Sequence, residues 1–119
     1  MPFVAGNIYW ITYNFIQPIH EKISLCVCPD RPLFFWINSN AKVHGIGQIA
    51  LCTLTCPQLN HDSYLDLSGV KTGSEIEMQT ARDVGPISQQ MKALVMAELA
   101  APISLLPETH RYLALANLA

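Results

Sequence analysis

Three successive stretches of the chain, Lys22 to Cys28, Leu33 to Asn38 and Gln48 to Thr55, carry apolar side chains at odd and even positions alike. Side chains on a strand alternate between the two faces, so strands of this kind bury both. A sheet this small meets that demand by curling into a barrel, by packing on helices or by pairing with another chain. The stretches are separated by the turn sequence Pro29-Asp30-Arg31-Pro32 and by residues 38–47, polar and glycine-bearing, which read as an exposed loop. Ahead of them, Asn7 to Ile16 is β-branched and aromatic and reads as a first strand. Tyr9, Ile11, Tyr13 and Phe15 then share one face, and Ile8, Trp10, Thr12 and Asn14 the other. Gln17 to Glu21 interrupts the pattern, because Pro18 has no ladder donor. After the turn Pro57 to Asp62, Ser63 to Leu67 alternates as a fifth strand.

The second half reads differently. Past the loop Ser68 to Gly73, Ser74-Glu75-Ile76-Glu77 has the form of a capping box, which predicts a short helix from Glu75 to Arg82. A strand is the competing reading, since Ile76, Met78 and Thr80 alternate with Glu75, Glu77 and Gln79. Gly85-Pro86 ends that unit. Ser88 caps a helix over Gln89 to Ala100 with an apolar stripe of Met91, Leu94, Val95 and Leu99, and Pro102 stops it. Pro107 suits the first turn of a last helix to about Asn117, with Tyr112, Leu115 and Leu118 available to pack. The expected fold is therefore mainly β with C-terminal helices (α+β), in a single domain over residues 1–119. Its strands lie at about 7–67 and its helical part at about 75–117.

With 119 residues the chain can bury one core and not two. Half of those residues are apolar and 13% are charged, so some apolar surface is expected to be covered by a partner subunit, most simply in a homodimer. No uninterrupted apolar run approaches the roughly 18 residues that span a bilayer, so no membrane segment is expected. Met1 to Gly6 lacks the basic start and apolar core of a signal peptide, and the expected location is cytoplasmic. In that compartment Cys26, Cys28, Cys52 and Cys56 are reduced thiols. They lack the C-x2-C turns of structural zinc sites and read as core residues; neither a metal nor a cofactor is expected. The net charge of −2 comes with no basic run, so a nucleic-acid partner would have to be held by a local patch.

Several short segments carry a family likeness: Gly6-Asn7-Ile8-Tyr9-Trp10 at the opening strand, Lys22-Ile23-Ser24-Leu25-Cys26-Val27 beginning at a cation, His61-Asp62-Ser63-Tyr64-Leu65-Asp66-Leu67, and Gly85-Pro86-Ile87-Ser88 before an amphipathic helix. Together they resemble the MazF/PemK-like family of small SH3-like barrels. The resemblance implies a barrel of about five strands followed by a short helix and two C-terminal helices. It also implies a dimeric toxin of a toxin–antitoxin module, a metal-independent endoribonuclease that cleaves single-stranded RNA and is silenced by a cognate antitoxin.

Metal-free RNA cleavage needs a base for the 2′-hydroxyl, an acid for the leaving oxygen and a donor or cation for the phosphorane charge. The family pairs an arginine at the start of its second strand with a serine or threonine near its fourth. Lys22 stands at the arginine position, a point charge without the bidentate fork, with His20 beside it as a candidate general base. Thr53 or Thr55 supplies the hydroxyl, and alternation puts both on one side of the fourth strand. Lys42 and His44, in the exposed loop, are candidate RNA-binding residues. Phe34, Phe35 and Trp36 offer a stacking surface if they are not core, and two of the three are expected in the core. A cysteine thiol beside His44 or His61 has no local signature as a nucleophile. The alternative to a ribonuclease is a catalytically silent MazF-like barrel acting as a protein-binding module, in keeping with the acidic balance and the missing arginine.

Overall fold

A computed structural model describes residues 3–40, 47–101 and 106–119. Along these residues run β1 (Asn7–Tyr13), β2 (His20–Cys28), β3 (Leu33–Asn38), β4 (Gln48–Leu51), β5 (Ser63–Asp66), α1 (Glu75–Gln79), β6 (Arg82–Pro86), α2 (Gln89–Leu99) and α3 (Glu108–Leu118). The strands form a sheet in the order β4-β5-β3-β2-β1-β6, antiparallel at every ladder. Its edges are β4 and β6, and no ladder joins them among the described residues.

Register explains how both faces are buried. Ile8 lies opposite Leu25, and Leu25 opposite Phe35, so these side chains share one face. That face is covered by Met91, Val95 and Leu99 from α2 and by Ala114 and Leu118 from α3. The other face carries Tyr9, Ile11, Tyr13, Cys26 and Phe34, closed by Met78 of α1 and by Phe3, Ile16, Trp36 and Ala81. Each fully buried large side chain contributes on the order of 1.5–3 kcal/mol from removal of its apolar surface. Helices on both sides thus meet the two-sided demand that the sequence makes. No helix among the described residues is long and apolar enough to cross a membrane.

Several boundaries differ from the sequence reading. β1 stops at Tyr13 rather than Ile16, because Ile16 N–H turns back to the Tyr13 carbonyl at 3.5 Å and Asn14 N–H is taken by the Glu77 carboxylate. β4 stops at Leu51 rather than Thr55, since the Cys52 carbonyl accepts N–H groups from Thr55 (3.2 Å) and Cys56 (2.9 Å). The competing readings at 75–82 each hold in part. The Ser74 and Glu77 capping box forms and α1 runs only to Gln79, after which Arg82–Pro86 pairs with β1 as a sixth strand. Pro86 is tolerated there because β6 is an edge strand, and Gly85 supplies the positive φ of 98°. In α2, Leu94 is half-exposed rather than part of the buried stripe; in α3, Ala114 is buried while Tyr112 is exposed. The loop expected at residues 38–47 falls mostly outside the described residues.

Candidate active site

Strand order brings three separate segments to one end of the sheet. Ser24 faces Trp36 and Asn38 faces Tyr64, so the start of β2, the end of β3 and the start of β5 are neighbours. A cleft of about 140 Å³ opens there, lined by His20, Glu21 and Lys22 from β2, Ser39 after β3, and His61 and Ser63 at the entry to β5. Trp10, Ile23, Ile37 and Leu59 form its apolar floor.

The two imidazoles are held by backbone. His20 Nδ1 lies 2.6 Å from the Pro18 carbonyl, which only accepts, so Nδ1 carries a proton and Nε2 is the nitrogen left for other partners. His61 Nδ1 lies 3.0 Å from the Asp62 carbonyl and 3.2 Å from Ser63 Oγ, whose own hydroxyl donates to the His61 carbonyl. This leaves His61 Nε2 directed at Ser39 Oγ, 3.5 Å away. Glu21 would repel an anion, but both its oxygens accept from Arg82 at 3.0 Å.

Lys22 joins this cleft to an adjoining depression of about 410 Å³, with Ser39 common to both. Trp36, Asn38, Asn40 and Lys71 complete its lining, so its described residues include two cations and no carboxylate. Lys22 Nζ donates to Asn38 Oδ1 at 2.6 Å and sits 5.3 Å from the centre of the Trp36 ring; Lys71 Nζ sits 5.0 Å from the same centre. Such cation–π contacts contribute roughly 0.5–1 kcal/mol each at exposed sites, enough to hold both ammonium groups on one surface. Phe15 stacks on Trp36 at 5.9 Å and Tyr13 packs against it at 5.3 Å. Burial pushes the Tyr13 phenol above its ordinary ionisation range, and its oxygen lies 3.3 Å from Ser24 Oγ.

His20 and Lys22 therefore meet as the sequence suggested, but the threonines do not join them. Thr53 and Thr55 sit in the turn after β4, not on a strand, and neither lines the cleft. Thr55 Oγ1 donates to the Cys52 carbonyl at 3.2 Å, and Thr53 N–H reaches Asp62 Oδ1 at 3.3 Å. Lys42 and His44 lie outside the described residues. Of the three aromatics, Phe34 and Phe35 are fully buried and Trp36 is the one at the surface of the site. His61, Ser39 and Lys71 are the site residues that sequence reasoning missed. The available signal was the His61-Asp62-Ser63 segment, whose place beside β2 depends on a strand order that periodicity does not reveal.

A second cavity, about 440 Å³, is lined by Asp30, Arg31, Glu75 and neighbours. Two carboxylates against one guanidinium make it a poor host for a phosphate. Among the described residues no group of three or more His, Cys, Asp and Glu side chains is arranged to hold a metal ion. The four cysteines are free thiols; burial pushes Cys26 up to about 12, which leaves it protonated and inert. Compared with protein-family models and with curated protein sequences, the chain matches none.

Proposed function

We propose that the protein is a MazF/PemK-like endoribonuclease that cleaves single-stranded RNA without a metal, using His20, Lys22 and His61. The observation that carries this reading is their convergence, from segments some forty residues apart in sequence, on one phosphate-sized cleft. His20 Nε2 takes the proton from the ribose 2′-hydroxyl as that oxygen attacks phosphorus. Lys22 Nζ offsets the charge that builds on the phosphorane oxygens. His61, protonated at Nε2, gives its proton to the departing 5′-oxygen, and the products are a 2′,3′-cyclic phosphate and a 5′-hydroxyl end. Histidine suits both proton transfers because it gains and loses a proton near neutral pH.

The adjoining lysine–tryptophan depression supports a polyanionic, base-bearing substrate, with Lys71 against a neighbouring phosphate and Trp36 against a base. In this reading the open antiparallel sheet corresponds to the family's SH3-like barrel, and His61 takes the place of the threonine hydroxyl. The protein works in the cytoplasm as a homodimer restrained by a cognate antitoxin, for which exposed Leu54, Ile76 and Tyr112 offer apolar surface.

Incubation with a mixed single-stranded RNA in buffer containing a chelator tests the reading. Cleavage to cyclic-phosphate ends is expected, with His20→Ala and His61→Ala each slower by about 10²- to 10⁴-fold and Lys22→Ala by about 10²- to 10³-fold. Intact RNA at high protein concentration contradicts it and favours the silent binding module; cleavage that all three variants retain contradicts the assignment of the reaction to His20, Lys22 and His61.

A further inference from the structure

The two edges of the sheet are built differently. β6, at one edge, carries Arg82, Asp83 and Pro86, takes a positive φ at Gly85, and meets β1 with a register shift between Asn7 and Tyr9. Charge, proline and irregular pairing are the features that keep an edge strand from recruiting another strand. β4, at the other edge, has none of them. Its residues are Gln48, Ile49, Ala50 and Leu51, and residues 43–61 include no Asp, Glu, Lys or Arg. The turn that follows presents Leu54, 92% exposed.

Register shows which backbone groups β4 leaves over. The Gly47 carbonyl accepts from Leu67 N–H at 2.7 Å, and Ile49 and Leu51 stand opposite Leu65 and Ser63. Bonded and unbonded pairs alternate along an antiparallel ladder, so Gly47, Ile49 and Leu51 direct their backbone groups at β5, while Ala50 directs its N–H and C=O away from the sheet. Ala50 is exposed, and among the described residues neither group has a partner. Ile49 and Leu51 lie on the face of Leu65, where Ile49 is only partly covered.

We propose that β4 pairs antiparallel with β4 of a second copy of this chain, about a two-fold axis at Ala50. Ala50 and Ala50 of the partner subunit exchange both N–H···O=C bonds. Ile49 then lies opposite Leu51 of the partner subunit, and the apolar face of one sheet runs on into the next. Two features select a second copy as the occupant. An edge without charge meets its own image with no like charges opposed, and a chain with one unguarded edge closes at two subunits instead of growing into a fibre. The inference rests on the homodimer of the preceding section, to which it gives an interface, and not on the ribonuclease chemistry.

Sedimentation equilibrium of the full chain tests it. Wild type is expected to be a dimer. Ala50→Lys and Ala50→Glu each set like charges side by side across the axis, and each is expected to weaken association at least about tenfold. An equimolar mixture of the two is expected to recover it as a heterodimer. As a check that needs no variant, hydrogen exchange is expected to show the Ala50 amide protected in the dimer and unprotected on dilution. A wild type that stays monomeric overturns the proposal and removes the homodimer with it. Charged variants that dimerise as tightly as wild type, a mixture that stays monomeric, or a dimer whose Ala50 amide exchanges freely overturn the interface alone. RNA cleavage is scored separately and bears on neither result.

Discussion

Glu77 shows how much a single side chain can organise. Its carboxylate accepts from Ser74 N–H at 2.8 Å and from Asn14 N–H, closing the capping box of α1 and tying that helix to the end of β1. Those two backbone donors, Ser74 first, hold its pKa below the ordinary carboxylate range. A depressed folded-state pKa contributes stability that is present above the unfolded-state value of about 4.3 and is lost as the pH falls through the folded value. Glu77→Gln is therefore expected to lower the thermal midpoint at neutral pH, and the gap from wild type to close under strong acid. Thermal scans at the two pH values check this, and a gap of equal size in both would contradict it. The capping box was legible in the sequence because it is a local signal, four residues long. Lys22 and His20 are near neighbours in sequence on β2, whereas His61 reaches the same cleft only because β5 lies beside β3.

Elements with local punctuation were read closely, and those set by distant partners were not. Ser88 caps α2 as expected, its Oγ accepting from Met91 N–H at 3.1 Å. Ser88→Ala should cost about 1 kcal/mol, measured by chemical denaturation; a loss near zero would mean that the first turn of α2 draws its stability from packing alone. β6 was hidden because Arg82 to Pro86 has no strand-like periodicity, and its pairing with β1 is a tertiary choice stabilised in part by Asn7 Nδ2 donating to the Asp83 carboxylate at 3.0 Å. The segment after Leu51 misled for the opposite reason. Its alternation of Cys52, Thr53, Leu54 and Thr55 looks like a strand, but Leu54 is 92% exposed and the backbone closes on the Cys52 carbonyl instead. That difference moves both threonines out of the cleft.

At the scale of the whole molecule, burial of both sheet faces decides the architecture. Leu25, Phe35 and Leu65 face α2 and α3, while Tyr9, Tyr13 and Phe34 face α1 and the N-terminal segment. The apolar runs announced this need, and helix packing was one of the solutions they allowed. At one end of the same sheet β2 and the entry to β5 bring His20, Lys22 and His61 to one cleft, and Lys22 also lines the adjoining depression with Trp36 of β3. The most direct measurement of whether that end receives RNA is an NMR titration with a short single-stranded oligonucleotide blocked against cleavage by 2′-O-methyl groups. Saturable shifts at His20, Lys22, Trp36, His61 and Lys71 are the predicted result. Shifts confined to the α2–α3 side, or none at millimolar oligonucleotide, would contradict it.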